Sequence, residues 1–328
     1  MAERVLITGG AGFVGLHLAR RLVRDGARVV LLDDFSRGRA DAELDELRQL
    51  AQVVEHDLTT PIPDRLLRGT FDSVYHLAAV VGVRQANENP DRVLRTNILA
   101  ALNLLDWCDE RSPGTLFLSS TSEVADGAMR LGLSDFPAPE NLPFVLPDPR
   151  LPRACYALSK IVSETLFLQR SARFRIRIGR YHNIYGPRMG YAHVIPEFIE
   201  RALSGVDPFT IYGDAQTRAF CYIDDAVAAT IALTRLDTDE PIVANIGNDR
   251  EEIKIRELAL RILTFVATDP ELAVCAPPPA SPDRRLPELS ALRQATGYEP
   301  TVDLDAGLRA TFDWYARHRR TSADRDGR

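Results

Sequence analysis

The feature that most constrains the fold is a glycine-rich loop near the N-terminus, set between an apolar run and a helical pattern. The run Arg4–Thr8 leads into Gly-Gly-Ala-Gly-Phe-Val-Gly at residues 9–15, and the helical pattern that follows ends at Gly26. Glycines spaced G-x-G-x-x-G allow a tight turn and let the backbone approach a pyrophosphate at the helix N-terminus. The spacing alone is a weak signal, but its place between a strand and a helix strengthens it. The sequence therefore predicts a dinucleotide-binding βαβ unit.

A carboxylate follows this loop at the distance expected for ribose recognition. Asp33 ends the second predicted strand, 18 residues after Gly15. It can accept hydrogen bonds from ribose hydroxyls and would repel a 2′-phosphate, which favours NAD over NADP. Arg37 and Arg39 follow closely and leave NADP open as an alternative.

The first 180 residues alternate short β-rich runs with longer helical patterns, such as Gly12–Asp25 and Asp91–Glu110. Alternation of this kind predicts a parallel sheet flanked by helices, and continuously apolar runs are typical of strands buried on both faces. We therefore expect an α/β protein with a Rossmann-type doubly wound parallel sheet and a smaller C-terminal substrate-binding α/β domain. The predicted strands are Arg4–Thr8, Arg28–Asp33, Gln52–His56, Ser73–Leu77, Thr115–Ser119 and Arg175–Arg180.

The regular alternation stops after Tyr181, where Gly, Pro and Tyr become more frequent. Two Pro-rich segments, 137–152 and 277–287, are expected to be ordered loops. The predicted organisation is an NAD-binding domain over 1–180 with a return segment at about 219–248, a substrate-binding domain over 181–218 and 249–320, and a disordered tail over 321–328.

Composition excludes several classes of protein. The formal net charge is −6, which argues against a nucleic-acid binder that neutralises phosphates. The four cysteines are far apart and form no CxxC pair, so neither a metal site nor a disulfide framework is indicated. The N-terminus resembles a strand rather than a signal peptide, and no apolar run is long enough to cross a membrane. We expect a soluble, reduced, cytoplasmic protein without metal.

Lysine is scarce, because only two of the 40 basic residues, Lys160 and Lys254, are lysines. Arginine replaces lysine on a solvated surface but not where an amine must titrate or supply a compact charge. Lys160 lies four residues after Tyr156, so both side chains share one helix face. An ammonium near a phenol favours the phenolate and hence general-base chemistry. Lys254 has no such setting and is interpreted as a surface lysine.

Several motifs together resemble the extended short-chain dehydrogenase/reductase family, specifically its nucleotide-sugar epimerases, dehydratases and decarboxylases. The resemblance runs from Arg4 to about Tyr315. Besides the glycine loop and the Tyr-Lys pair, the motifs are His76-Leu-Ala-Ala79, Thr96-Asn97, Ser119-Ser-Thr-Ser-Glu123, Arg180-Tyr-His-Asn-Ile-Tyr-Gly-Pro-Arg188 and Tyr212-Gly-Asp-Ala-Gln-Thr-Arg218.

The resemblance implies a role for particular residues. The implied catalytic residues are Tyr156, Lys160, Thr121, Ser122 and Glu123, with Thr121 hydrogen-bonding the sugar hydroxyl that is oxidised. The implied NAD-binding residues are Gly9, Gly12, Phe13, Val14, Gly15, Asp33, Asp34, Ser36, Arg37, Asp57, Leu58, Leu77, Ala78, Ala79, Asn97, Ser119, Tyr156, Lys160 and Tyr181. The implied substrate-binding residues are Val83, Arg84, Thr121, Glu123, Asn183, His193, Val194, Tyr212 and Arg218. Asn183 and Arg218 could instead be a turn residue and a surface ion-pair partner.

The residues near C5 and C6 of the sugar should decide which reaction occurs. Dehydratases of this family carry an Asp-Glu pair where this chain has Ser122-Glu123, which counts against dehydration. The sequence Thr-Ser-Glu-Val at 121–124 resembles UDP-glucuronate decarboxylases, which would oxidise C4 of a UDP-sugar and release CO2. UDP versus dTDP as the nucleotide stays open.

Three departures keep a UDP-sugar 4-epimerase open as the alternative. The Tyr-Gly that usually follows Glu-Val is Ala125-Asp126, the segment 76–84 resembles 4-epimerases, and the segment 188–193 is not the usual base-binding sequence. A non-catalytic NAD sensor is disfavoured because Tyr156 and Lys160 are both present. The resemblance also implies a homodimer through helices near Asp91–Glu110 and Tyr156–Arg170.

Overall fold

The computed structural model describes residues 2–38, 40–146, 148–278 and 281–318. The strands are β1 (Arg4–Thr8), β2 (Arg28–Asp33), β3 (Gln52–Glu55), β4 (Ser73–His76), β5 (Thr115–Thr121), β6 (Arg175–Tyr181), β7 (Ile184–Tyr185), β8 (Phe209–Tyr212), β9 (Thr217–Ala219), β10 (Cys221–Tyr222), β11 (Ile242–Ile246), β12 (Glu252–Lys254), β13 (Leu272–Cys275) and β14 (Arg284–Arg285). The helices are α1 (Phe13–Arg24), α2 (Ala42–Arg48), α3 (Val83–Glu88), α4 (Pro90–Arg111), α5 (Asp126–Arg130), α6 (Ala154–Leu168), α7 (Val194–Leu203), α8 (Ile223–Thr234), α9 (Ile255–Leu263), α10 (Ser290–Thr296) and α11 (Leu304–Arg317), with a 3₁₀ turn over Ser122–Val124.

Seven strands form one sheet in the order β11-β6-β5-β4-β1-β2-β3, and every neighbouring pair is parallel. This confirms the expected Rossmann-type sheet. Strands β2 and β3 lie on one side of β1, and β4, β5, β6 and β11 lie on the other. Because the strand order reverses at this point, a crevice opens at the carboxyl ends of β1 and β4.

The predicted strands are all present, but some of their ends differ. β3 and β4 each end one residue early, whereas β5 extends to Thr121 and β6 to Tyr181. The extension follows from the ladder, which pairs Thr121 with Tyr181 although the apolar pattern has already ended. The first long helix begins at Phe13 because Gly12 is its N-cap, and α4 begins one residue early because Pro90 fits the first helical turn.

Successive side chains of each strand enter cores on opposite faces of the sheet. Val5 and Ile7 pack on the face covered by α1, α8 and α10, and Leu6 packs on the face covered by α4 and α6. The sheet is therefore buried on both faces, as its continuously apolar strands predict.

A third core lies in the C-terminal part of the chain between α7, α9 and α11, around Phe198, Phe209 and Leu258. Short strands surround it: β8 pairs with β13, and β9 lies between β12 and β14. The pairing of β9 with β14 brings the second Pro-rich segment next to the strand that carries Arg218.

Parts of the C-terminal half return to the central sheet. The return segment expected at about 219–248 supplies α8 and β11. The sequence places 249–320 in the substrate-binding domain, but α10 within that range packs against α8 and β11 because Leu289, Leu292 and Tyr298 are buried in the core there. The tail at 321–328 lies outside the described residues, and within the described ranges no helix combines the length and apolar character needed to cross a membrane.

Candidate active site

A cavity of about 880 Å³ opens at the carboxyl edge of the sheet, beside the point where the strand order reverses. It is lined by nearly all the residues that the sequence assigns to NAD. These are Gly9, Gly12, Phe13, Val14, Gly15, Asp33, Asp34, Ser36, Arg37, Asp57, Leu58, Leu77, Ala78, Ala79, Ser119, Tyr156, Lys160 and Tyr181. The substrate candidates Arg84, Thr121 and His193 line the same cavity.

The glycine loop forms one wall of this cavity and fits a pyrophosphate. Gly9 has φ +69°, and a Cβ at this position would lie 2.7 Å from the backbone nitrogen of Ala78. A Cβ on Gly15 would collide with the carbonyl oxygen of Gly9. Helix α1 starts at Phe13 without a side-chain cap, so the amides of its first turn are available to an anion.

Asp33 is held with its carboxylate at the ribose end of the same wall. One oxygen accepts a hydrogen bond from the Ala11 amide and the other from the Phe35 amide, both at 2.9 Å. Burial raises the pKa of Asp33, and these two hydrogen bonds oppose that effect. The remaining lone pairs of the fixed carboxylate can accept hydrogen bonds from ribose hydroxyls. Arg37 also lines the cavity and donates to the carbonyl of Val81, whereas Arg39 lies outside the described residues.

Helix α6 brings Tyr156 and Lys160 to the opposite wall. The ammonium of Lys160 is buried and donates to the carbonyl of Ser119 at 2.8 Å. The side chain of Thr121 lies beside the hydroxyl of Tyr156 and lowers the pKa of that phenol. Two elements thus converge at the end of β5, and they present a phenol, an ammonium and a hydroxyl to one space.

Burial and charge set the protonation of this pair. Burial raises the pKa of Tyr156, as does the charge of Glu123, while Thr121, Arg37 and Arg285 act in the opposite direction. Burial lowers the pKa of Lys160 to about 8, opposed by the charge of Glu164. The largest influences on the phenol are therefore burial and the charge of Glu123, both of which raise its pKa.

Glu123 lies in a cluster of four charged side chains next to Tyr156. Its carboxylate accepts from Arg153 at 2.9 Å and lies 3.3 Å from Arg285, and Arg285 also donates to Asp126 at 2.7 Å. Burial alone would raise the pKa of Glu123, but Arg285 and Arg153 lower it below the usual value. The carboxylates of Asp126 and Glu123 raise the pKa of Arg285 despite its burial. Both effects favour the charged forms of Glu123 and Arg285.

Arg285 is a functional candidate that sequence reasoning missed. It reaches Glu123 because the two Pro-rich segments bind each other: the Ala138 amide donates to the Leu286 carbonyl, and the Glu288 amide donates to the Ala138 carbonyl. No local sequence pattern predicts the contact between Glu123 and Arg285, because these residues are 162 positions apart. The sequence did mark the Ala125-Asp126 departure, and Asp126 is the residue that holds Arg285 from the other side.

Arg188 is another contributor that the sequence did not single out. Its guanidinium is buried, and it donates to the carbonyls of Ala11 and Gly12 in the glycine loop at 2.9 and 3.2 Å. It also pairs with Asp41. The loop after β7 is thereby joined to the loop that would hold the pyrophosphate.

Asn97 does not line the cavity. Its amide is buried, exchanges two hydrogen bonds with the backbone of Val80, and donates to Ser159 Oγ at 3.0 Å. It joins the loop after β4 to α6, so the structure gives it a positioning role.

Several other candidates also lie outside the cavity lining, and Glu123 with its two arginine partners is among them. Ser122 is buried in the 3₁₀ turn, and Val194 begins α7. Asn183 has φ +46° and donates to the carbonyl of Ala219, which fits the turn role. Tyr212 is half exposed at the end of β8. Val83 lies in α3, and the structure does not describe its side chain.

Arg218 is buried and donates to backbone carbonyls, including those of Thr217 and Pro282 at 2.7 Å. Burial lowers its pKa to about 10. Its guanidinium is therefore engaged in holding the second Pro-rich segment next to β9, rather than in a surface ion pair. The described residues contain no cluster suited to a metal ion.

Comparison with known proteins places this geometry in a family. The model of the NAD dependent epimerase/dehydratase family matches residues 5–247. The chain is 33% identical over 322 residues to UDP-glucuronic acid decarboxylase 1 of Xenopus tropicalis, covering 96% of this chain and 72% of that protein. It is 33% identical over 332 residues to UDP-N-acetyl-alpha-D-glucosaminuronate decarboxylase of Bacillus cytotoxicus, covering 96% of this chain and 98% of that protein. The solved structure of MoeE5 in complex with UDP-glucuronic acid and NAD superposes with a TM-score of 0.81 at 25% identity. The match covers 96% of this chain and 99% of that one.

Proposed function

Since the chain belongs to the NAD dependent epimerase/dehydratase family, and is an NAD-dependent nucleotide-sugar enzyme, we propose that it oxidises C4 of UDP-glucuronate and decarboxylates the 4-keto product. The products would be the UDP-4-keto-pentose and, where hydride returns, UDP-xylose. The observation that carries the proposal is the cluster of Arg153, Arg285 and Glu123 beside Tyr156. Two guanidiniums next to the oxidising phenol are suited to a sugar that bears a carboxylate at C6.

The first step requires Tyr156 to take the proton of the C4 hydroxyl, with Thr121 beside the phenol and Lys160 on the same helix face. When bound, NAD supplies the hydride acceptor and a positive nicotinamide ring, which favours the phenolate of Tyr156. The ammonium of Lys160, fixed by the Ser119 carbonyl, is placed to donate to a ribose hydroxyl.

The second step follows from the chemistry of the product. A ketone at C4 is β to the C6 carboxylate, so the C5–C6 bond can break with release of CO2. The electron pair of that bond then forms an enolate whose oxygen is at C4, within reach of the protonated Tyr156. Completion of C5 takes up one proton from solvent, and we assign the Glu123 carboxylate to hold the water that delivers this proton. Arg285 and Arg153 hold Glu123 charged for this role.

A 4-epimerase is the second candidate, and one observation favours it. Residues 78–82 and Arg84, in the segment that resembles 4-epimerases, line the cavity. An epimerase would return the hydride to the other face of C4 and keep the carboxylate.

Incubation of the purified protein with NAD and UDP-glucuronate, followed by mass spectrometry of the products, separates the two candidates. Loss of one CO2 supports decarboxylation, and an isobaric product alone contradicts it. Tyr156→Phe serves as the control, because it should keep NAD bound and form neither product.

Three finer expectations stay predictions within this proposal. They are a homodimer through α4 and α6, a cytoplasmic location, and UDP rather than dTDP as the nucleotide. Helices α4 and α6 pack side by side on one face of the sheet. Light scattering of the purified protein would test the dimer, and a comparison of the UDP- and dTDP-linked sugars would test the nucleotide.

A further inference from the structure

Asp126 is the acidic residue that departs from the usual Tyr-Gly pattern, and it lies at the start of α5. Its carboxylate accepts a hydrogen bond from the guanidinium of Arg285 at 2.7 Å, which is shorter than the 3.3 Å between Arg285 and Glu123. Both side chains are largely buried, with exposed fractions of 22% for Asp126 and 13% for Arg285. Arg285 is thus shared between two carboxylates.

We propose that Asp126 is a specificity-determining residue that competes with the C6 carboxylate of the substrate for Arg285. The inference rests on the proposed function, because it takes Arg285 to be the group that meets this carboxylate. Asp126 acts through Arg285 and is therefore a positioning residue.

The charge balance of the cluster supports this role. Arg153 and Arg285 carry two positive charges, and Glu123 and Asp126 carry two negative charges, so the cluster is neutral. Without Asp126 it would carry one positive charge beside the sugar and would bind a uronate more strongly than a neutral hexose. With Asp126 present, a neutral C6 group can enter without leaving an unpaired guanidinium.

Arg285 also has a donor that its two carboxylate partners do not use. Its Nη2 atom is bound to both carboxylates, whereas its Nε atom is buried and has no hydrogen-bond partner among the described residues. A buried donor without a partner is unfavourable. The Arg285 side chain is 13% exposed, so a substrate carboxylate that reaches it competes with Asp126 for the guanidinium.

Weaker binding of the substrate carboxylate by Arg285 has a consequence for the reaction. The substrate carries its negative charge on the carboxylate before C5–C6 cleavage, and the charge moves toward the C4 oxygen in the transition state. A guanidinium that binds the carboxylate tightly stabilises the ground state more than the transition state, which lowers kcat. Asp126 therefore favours turnover at the expense of substrate affinity.

The test is substrate binding to Asp126→Asn, measured by titration calorimetry of the NAD-loaded protein with UDP-glucuronate, UDP-glucose and UDP. We expect UDP-glucuronate to bind about tenfold more tightly than to the unmodified protein, since Arg285 loses its competing charged partner. UDP-glucose and UDP should change by less than about twofold, because neither carries a carboxylate. If decarboxylation is observed, KM and kcat should both fall in this variant.

The matched control is Glu252→Gln. Glu252 pairs with Arg284, the neighbour of Arg285, at 2.7 Å, so the variant also removes one carboxylate from one arginine. It should leave the affinity ratio of UDP-glucuronate to UDP-glucose unchanged. Asp126→Glu keeps the charge and should also keep the ratio, and Asp126→Ala replaces Asp126→Asn if the latter does not fold.

An unchanged or lower ratio in Asp126→Asn would overturn the inference, since Asp126 would then only hold Arg285 in place. Binding needs no turnover, so the two proposals fail separately. A shifted ratio without CO2 release contradicts the decarboxylase and supports the role of Asp126, and failure of the unmodified protein to bind either sugar nucleotide contradicts both.

Discussion

At the scale of single residues, Lys160 shows most clearly how burial and chemistry combine. Its side chain is only 2% exposed, and its ammonium is directed at the Ser119 carbonyl at the end of β5. A buried ammonium must have such a partner to remain charged. The other lysine, Lys254, is exposed at the end of β12.

Replacing Lys160 by arginine should keep the charge and still reduce kcat by about 100-fold or more, in the range typical of lost acid–base assistance. The planar guanidinium is wider than an ammonium and cannot take the same buried position beside Ser119 without moving β5 or α6. The measurement is turnover of the NAD-loaded variant, with bound NAD measured separately. Lys254→Arg is the control and should behave as the unmodified protein; normal turnover by Lys160→Arg would refute the requirement for a lysine.

At the scale of elements, α6 carries a row of functional side chains at four-residue spacing. Tyr156 and Lys160 are followed by Glu164, which is fully buried and bonded to Arg180 of β6 at 2.8 and 3.0 Å. The hydroxyl of Ser120 in β5 donates to the same carboxylate. This buried ion pair fixes the helix against the two strands whose ends carry the site.

Glu164→Gln should lower the free energy of unfolding by about 3 kcal/mol, because it leaves the buried guanidinium of Arg180 without a charged partner. Urea unfolding monitored by circular dichroism measures the loss. Asp313→Asn, which removes an acid from the exposed pair with Arg309 on α11, should cost less than about 0.5 kcal/mol. Equal losses in the two variants would show that the buried pair is not important for stability.

Elements and site were predictable from the sequence to different degrees. The sheet and the Tyr156–Lys160 pair follow from local patterns, because apolar runs and a four-residue spacing are visible along one segment. The extension of β5 to Thr121 depends on pairing with β6, and the Arg285 contact depends on a bond between two distant loops. Such long-range contacts leave no periodic trace in the sequence.

At the scale of the whole molecule, two buried histidines link stability to pH. Burial lowers the pKa of His76, with a smaller effect from Lys160, and it also lowers the pKa of His182, both to about 3. Between pH 6.5 and about 3 these two imidazoles therefore bind more protons in the unfolded chain than in the folded one. Stability should rise with pH across this window and fall as the pH is lowered.

One unit below pH 6.5, each histidine should contribute roughly 1.4 kcal/mol to this loss. In His182→Gln the unfolding free energy should consequently fall less between pH 7 and pH 5.5 than in the unmodified protein. Gln can still donate to the side-chain oxygen of Asn245, which His182 contacts at 3.0 Å. Urea titrations at the two pH values measure the difference, and the same pH dependence in both proteins would contradict the role assigned to His182.

The bonds from Arg188 to the carbonyls of Ala11 and Gly12 have a kinetic consequence. They join the loop after β7 to the loop that would hold the pyrophosphate, so any opening between these two loops breaks two hydrogen bonds. A cofactor that resides through many turnovers does not equilibrate with the free pool. An enzyme that takes a hydride from its sugar and gives it back can then work at a rate insulated from the ratio of oxidised to reduced nicotinamide in its surroundings.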